Sequence, residues 1–192
     1  MPTPNPQAME FMLSRRSRPS RTLRAPVPTR DELMPLLTAA ARTPDHGKLE
    51  PWRFIVLDEK VLPRLVDLID VRGKALGIDP EKIAKNQSHF NGETLAVAVI
   101  ASPVISEKIP EIEQIYSAGA VCLALLNACL ASGWGANWLS GWSSHDRGFA
   151  EQGLGLAPHE LIAGFIHIGT ETTAPPDRPR PDLGAKTTWM LK

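Results

Sequence analysis

Cysteine is scarce in this sequence of 192 residues, with Cys122 and Cys129 alone. Seven positions apart on a helix, they would stand about 10 Å apart along its axis. That is too far for a disulfide or for sharing one zinc ion. They read as small buried hydrophobes of a reducing compartment, so a cytoplasmic protein is expected. Net charge is missing too: 21 Lys+Arg balance 21 Asp+Glu, and nothing global recruits nucleic acid or an anionic membrane. No continuous apolar run reaches the roughly 18 residues of a membrane span, and internal repeats and low-complexity blocks are absent. The histidines at 46, 89, 145, 159 and 167 show no ligand spacing, so no metal is expected. P-loop, nucleophile-elbow and zinc motifs are lacking as well.

What is present is globular composition, 43% hydrophobic and 22% charged, enough for one domain over residues 1–192 with a real core. Arginine is concentrated at the start. Arg15, Arg16, Arg18, Arg21, Arg24 and Arg30 share the first 30 residues with a single acid, Glu10. An Arg-rich, acid-poor start can be a transit peptide, but Pro19, Pro26 and Pro28 break any amphipathic helix there. A local anion site explains the cluster better.

Residues 1–6, with three prolines, are expected to fray, and residues 7–13 to form a short helix running into the arginines. Thr29 with Glu32 is a capping box opening a second helix on Leu33, Leu36, Leu37, Ala40 and Ala41. Trp52 to Leu57 reads as a strand, residues 59–76 as a helix, and residues 77–91 as a polar, mobile segment. Leu95–Ala101 is a strand buried on both faces. Residues 111–132 form the longest helix. From 118 to 131 it is apolar on every side except Asn127, so part of its cover is expected from a second subunit. A strand bracketed by glycines and aromatics (133–142), a short helix (146–153) and a strand (161–168) follow. The proline-rich end from 170 reads as an extended arm, with Trp189 expected to dock on a partner.

Three constellations could carry chemistry. Arg15-Arg16-Ser17 suits a phosphate, because guanidinium forks bind its oxygens bidentately and a hydroxyl adds a neutral donor; a solvated basic turn remains the plainer reading. Arg42 and His46, in Ala-Arg-Thr-Pro-Asp-His, could both point past a helix end toward a ligand, though a histidine beside an aspartate is often structural. The run Gly133-Trp-Gly-Ala-Asn-Trp138 mimics a dinucleotide fingerprint, but its glycines close a helix and enter a strand. That is the reverse of the Rossmann order.

These pieces in this order resemble the nitroreductase family of flavoproteins. They are Arg15-Arg16-Ser17, then Ala-Arg-x-Pro-Asp-His before Pro-Trp-Arg-Phe, then Ser-Ala-Gly opening an apolar helix that ends Gly-x-Gly-x-x-Trp-x-Ser-Gly. The Pro-Asp-His variant is similar to the YdjA-like subgroup, and the resemblance covers about residues 8–170. It implies an α+β fold, a three-layer α/β sandwich with a mixed sheet flanked by helices, in an obligate-type homodimer with non-covalent FMN at the subunit interface. By resemblance, Arg15, Arg16 and Ser17 bind the FMN phosphate, and Arg42 and His46 reach the flavin of the other subunit. Trp138, Leu139 and Ser140 line the isoalloxazine, and Ala128, Cys129, Leu130, Ala131, Ser132 and Gly133 accommodate the nicotinamide nucleotide. Hydride passes from NAD(P)H through FMN to a nitroaromatic, quinone or similar small acceptor. No protein residue is nominated as catalytic, since the flavin carries the chemistry. A flavin carrier or sensor without turnover, and a fragmentation or dehalogenation chemistry on the same scaffold, are the alternatives. Glu50 departs from the family's neutral amide, and Arg178 and Arg180 stand where some members place extra phosphate-binding cations.

Overall fold

The computed structural model describes residues 3–90 and 93–191. Five strands form one antiparallel sheet: β1 (Leu23–Arg24), β2 (Trp52–Leu57), β3 (Leu95–Ala101), β4 (Gly135–Leu139) and β5 (Leu161–Glu171). The order is β2-β3-β5, with β4 also paired to β5 and β1 paired to the last two residues of β5. A mixed sheet was expected. Every ladder among the described residues is antiparallel, because helical excursions between strands allow either direction and leave no mark of it in the sequence.

Helices cover both faces. On one lie α2 (Arg30–Ala40) and α5 (Glu111–Ala131), meeting Leu95, Val97 and Val99 of β3 and Ile166 and Ile168 of β5. On the other lie α3 (Leu62–Ala75), α4 (Pro80–Gln87), α6 (Trp142–His145) and α7 (Arg147–Leu154). Ala96, Ala98, Ile100 and Phe165 point to that side. Alternate residues of β3 thus feed opposite cores, as a strand of period two requires. All seven of its residues are buried.

Local chemistry sets the helix ends. Asn5 caps α1 (Pro6–Ser14) through the Ala8 amide, so the helix begins inside the stretch expected to fray; residues 1 and 2 lie outside the described residues. The Thr29–Glu32 capping box opens α2 as expected. Helix α3 starts at Leu62, later than expected, after a turn closed by Asp58. Asp146 caps α7 through the Phe149 amide, and Gly155 ends it with φ +67°.

The segment expected to be mobile is ordered. Asp79 caps α4, a 3-10 turn follows at Ser88–Phe90, and Ile83 and Phe90 enter the core. Its order comes from long-range partners: Asn86 accepts from Ser143 and Gln87 donates to the Val66 carbonyl. Asn91 of that expectation lies outside the described residues.

Helix α5 is long and apolar enough to cross a membrane by composition, yet one face is spent on the core. Ala118, Val121, Cys122, Leu125, Leu126 and Cys129 are buried. Ile112, Tyr116 and Leu123 are exposed, with open space over Gly119. Beyond Glu171 the arm is extended apart from α8 (Leu183–Lys186), and Trp189, Met190 and Leu191 are exposed. The docking expected of Trp189 does not occur within the chain.

Candidate functional site

Helix α1 ends at Ser14, and the chain then runs along β4, tied by the Arg18 amide to the Ala136 carbonyl at 2.8 Å. Arg15 donates from Nη2 to Ser17 Oγ at 3.0 Å. The Nε groups of Arg15 and Arg16 are buried and have no hydrogen-bond partner among the described residues. Across from them the arm brings Arg178, Pro179, Arg180 and Pro181, closing a cleft of about 480 Å³ around Arg15, Arg16 and Ser17. Arg180 reaches the Leu13 carbonyl from Nη2 at 3.5 Å. Burial, then the charges of Arg180 and Arg16, lower the Arg15 pKa. Among the described residues no carboxylate lines the cleft itself, and the Asp177 carboxylate meets Arg180 at 3.5 Å beside it. Buried guanidinium donors left without acceptors are costly, and a phosphate monoester supplies the charge and oxygens they lack. The residues present fit the phosphate end of FMN.

Beside β4 the structure forms a second recess, of about 400 Å³, lined by Ser20, Arg21, Arg24, Lys85, Ser88, His89, Asn137 and Leu139, among others. Ser20 Oγ lies 3.3 Å from His89 Nδ1. Behind it His167 is fully buried, with Thr94 Oγ1 3.3 Å from Nδ1 and no partner at Nε2. Burial and the nearby His89 push its pKa down to about 3, so the ring is neutral. Lys85 of α4 and Ser88 and His89 of the turn after it were not assigned from sequence. The one available signal was the recurrence of Lys82, Lys85 and His89 at helical spacing.

The β4 residues expected to act together divide between the faces. Asn137 and Leu139 pair with His167 and Phe165 and point toward α4, whereas Trp138 pairs with Ile166 on the α5 side. The indole of Trp138 lies over Gly164, where a Cβ would overlap it, and is 37% exposed. Ser140 follows at the exposed end of the strand. Of the segment assigned to the nicotinamide nucleotide, Ala131, Ser132 and Gly133 are exposed and Ala128 and Leu130 half-buried. Cys129 corrects the expectation: its side chain is fully buried in the core, and burial pushes its thiol, like that of Cys122, up to about 12. Gly133 has φ +85° and Gly135 enters β4, confirming the order that excludes a Rossmann turn.

The Arg42–His46 segment stands apart, for the cleft of Arg15 includes neither residue. Arg42 is exposed. The loop that follows is held in an unusual backbone, with positive φ at Gly47, Lys48 and Glu50, and Asp45 Oδ1 accepts the amides of Leu49 and Glu50. Ile109, just ahead of α5, and Glu113 and Ser117, one turn apart on it, fasten the loop to the start of that helix. Ile109 lies under Gly47, where a Cβ would overlap it. Glu113 Oε2 meets His46 Nδ1 at 2.7 Å, and Ser117 Oγ donates to the Pro44 carbonyl at 3.0 Å while accepting from Trp52 Nε1. Glu50 is exposed and outside the cleft.

Comparisons with known proteins identify the family and the fold. The sequence profile of the nitroreductase family matches residues 12–170. A protein of Escherichia coli with the provisional name NAD(P)H nitroreductase YdjA is 31% identical over 163 residues, 85% of this chain and 87% of that protein. A similarly named protein of Haemophilus influenzae is 30% identical over 165 residues, 85% and 88% of the two chains. Among solved structures, a nitroreductase-like family protein from Bacillus cereus superposes with a TM-score of 0.78 at 23% identity, covering 99% of this chain and 98% of its own. With its profile matched over most of its length, the chain belongs to the nitroreductase family.

Proposed function

We propose that this protein is an FMN-dependent oxidoreductase that takes hydride from NAD(P)H and delivers it to nitroaromatic, quinone or similar small acceptors. The observation that carries the reading is the four-arginine cleft with its two buried, unpartnered Nε groups. Relatives point the same way: the YdjA name includes NAD(P)H nitroreductase, and one structural neighbour is described as a nitroreductase in complex with FMN.

FMN, when bound, supplies the hydride chemistry. The chain's residues bind and orient it. Arg15, Arg16, Ser17, Arg178 and Arg180 hold the phosphate end. Trp138, Leu139 and Ser140 border the ring, and Arg21 and Lys85 place positive charge along the adjoining recess, favouring electron-rich groups there. Ala131, Ser132 and Gly133 offer exposed backbone to the nicotinamide nucleotide.

The site is completed by a second copy. Ile112, Tyr116, Gly119 and Leu123 form an uncovered apolar stripe on α5. Among the described residues no strand pairs with the outer edge of β2, and the arm ends in exposed Trp189, Met190 and Leu191. A homodimer covers these apolar surfaces and brings Arg42 and His46 to the partner's flavin. The two free, deeply buried cysteines fit a cytoplasmic setting.

The test is the visible spectrum of purified protein, with identification of the flavin released on denaturation. Bound FMN that bleaches with NAD(P)H and recovers with a quinone is expected. Colourless protein that also refuses added FMN overturns the reading, and bound flavin that never bleaches makes it a carrier.

A further inference from the structure

We propose that Glu113 is a positioning residue for the site on the partner subunit: it grips His46 through Nδ1 and leaves Nε2 for the ligand. The inference rests on the reading of His46 as a ligand of the partner's flavin. Its own support is geometric. Glu113 Oε2 lies 2.7 Å from His46 Nδ1, and His46 makes no hydrogen bond through Nε2 among the described residues. A carboxylate at Nδ1 selects the tautomer protonated there. The neutral ring then offers a lone pair at Nε2, and the protonated ring a donor.

The location gives the grip its use. Ile109 ahead of α5, and Glu113 and Ser117 one turn apart on it, fasten the loop of His46 at the helix start. Their sequence neighbours Ile112 and Tyr116 begin the uncovered stripe. One helix therefore carries the partner surface and, beside it, the clamp on the loop that must reach across. The left-handed backbone at Gly47 packs on Ile109, and Asp45 Oδ1 holds the amides of Leu49 and Glu50 in the left-handed stretch beyond it. Backbone strain maintained by surrounding contacts is characteristic of functional sites.

The experiment uses the full-length protein with FMN as ligand and compares Glu113→Ala, Glu113→Gln, His46→Ala and the double variant His46→Ala/Glu113→Ala. Imidazole 15N shifts report the tautomer of His46, and flavin fluorescence titration reports FMN affinity. In the parent, His46 carries its proton at Nδ1. In Glu113→Ala that preference is lost and FMN binds about two- to tenfold more weakly. Glu113→Gln, which keeps an accepting oxygen, retains the tautomer and most of the affinity. The double variant binds no more weakly than His46→Ala, because Glu113 acts through the ring. Additive losses, or Glu113→Ala with unchanged tautomer and affinity, overturn this inference alone. A parent that binds no FMN overturns the function as well. Circular dichroism and solution mass confirm that each variant keeps its fold and assembly.

Discussion

Arg53 and Glu160 meet side-on, Nε to Oε1 at 2.6 Å and Nη2 to Oε2 at 2.8 Å, joining the outer strand β2 to the residue before β5. The Glu160 side chain is only 7% exposed and also accepts the Ala157 amide. The Arg53 bond leads the causes that hold its pKa down at about 2, against an ordinary 4.5. The Pro-Trp-Arg-Phe arginine thus braces the fold.

Arg53→Ala should therefore destabilise the protein by about 2–3 kcal/mol near pH 7, because it leaves a buried carboxylate short of a partner. For a chain of this size that is a fall in Tm of roughly 5–10 °C. Glu160 has a depressed folded pKa, so the parent's gain is full above its unfolded value and is lost as pH falls from 4.5 toward 2. Urea unfolding at pH 7 and pH 3 should show the gap between parent and variant narrowing at the lower pH. An equal gap at both would contradict the assignment.

Gly164→Ala should dislodge Trp138. The new methyl group would overlap the indole, and either the ring swings out or the strand accepts overpacking of about 1–3 kcal/mol. With Trp138 bordering the flavin, FMN affinity should fall along with stability, and tryptophan quenching on FMN binding should weaken. Loss of stability with full FMN affinity would remove Trp138 from the site.

Arg16→Ala should weaken FMN binding by about ten- to a hundredfold, the loss of one or more charge-assisted hydrogen bonds. Arg180→Ala should produce a smaller loss, about three- to tenfold, because Arg180 is the more exposed partner. Raised salt should reduce both differences. Unaltered affinity in Arg180→Ala would separate the arm from the cofactor site.

Mixing Arg16→Ala protein with Arg42→Ala protein should restore flavin. In a mixed dimer one site takes both arginines from mutated positions, and the other takes both from intact ones. Up to half of the sites in each heterodimer should recover FMN and NAD(P)H oxidation once subunits have exchanged. No recovery despite proven exchange would place Arg42 on its own chain's flavin.

Much of this was legible because it was local. The Thr29–Glu32 box, the apolar run of β3 and the small-residue pattern of α5 each announce themselves within one element, and Arg15-Arg16-Ser17 marked an arginine-lined cleft by residue type. What escaped depends on distant partners. Helix α4 is polar because Asn86 and Gln87 bond to residues remote in sequence. Strand β1 is two residues long and exists through its pairing with Glu171 and Thr170. Arg178 and Arg180 were flagged by resemblance alone, and only the course of the arm brings them to the cleft of Arg15. Alternation along β4 likewise turned Trp138 and Leu139 apart, which a contiguous motif conceals.

The four-arginine cleft draws its cations from both ends of the chain: Arg15 and Arg16 follow the first helix, and Arg178 and Arg180 ride on the closing arm. Like charges so placed push the two ends apart, and an anion between them fastens them together. A cofactor phosphate held there, as proposed, would work as a clasp. Without it the arm is retained mainly by the reach of Arg180 to Leu13, and proteases should trim the arm readily; with it, the tail is sealed to the start of the chain. Resistance of the C-terminus to digestion would follow cofactor loading, making the tail's survival a gauge of whether the enzyme is charged.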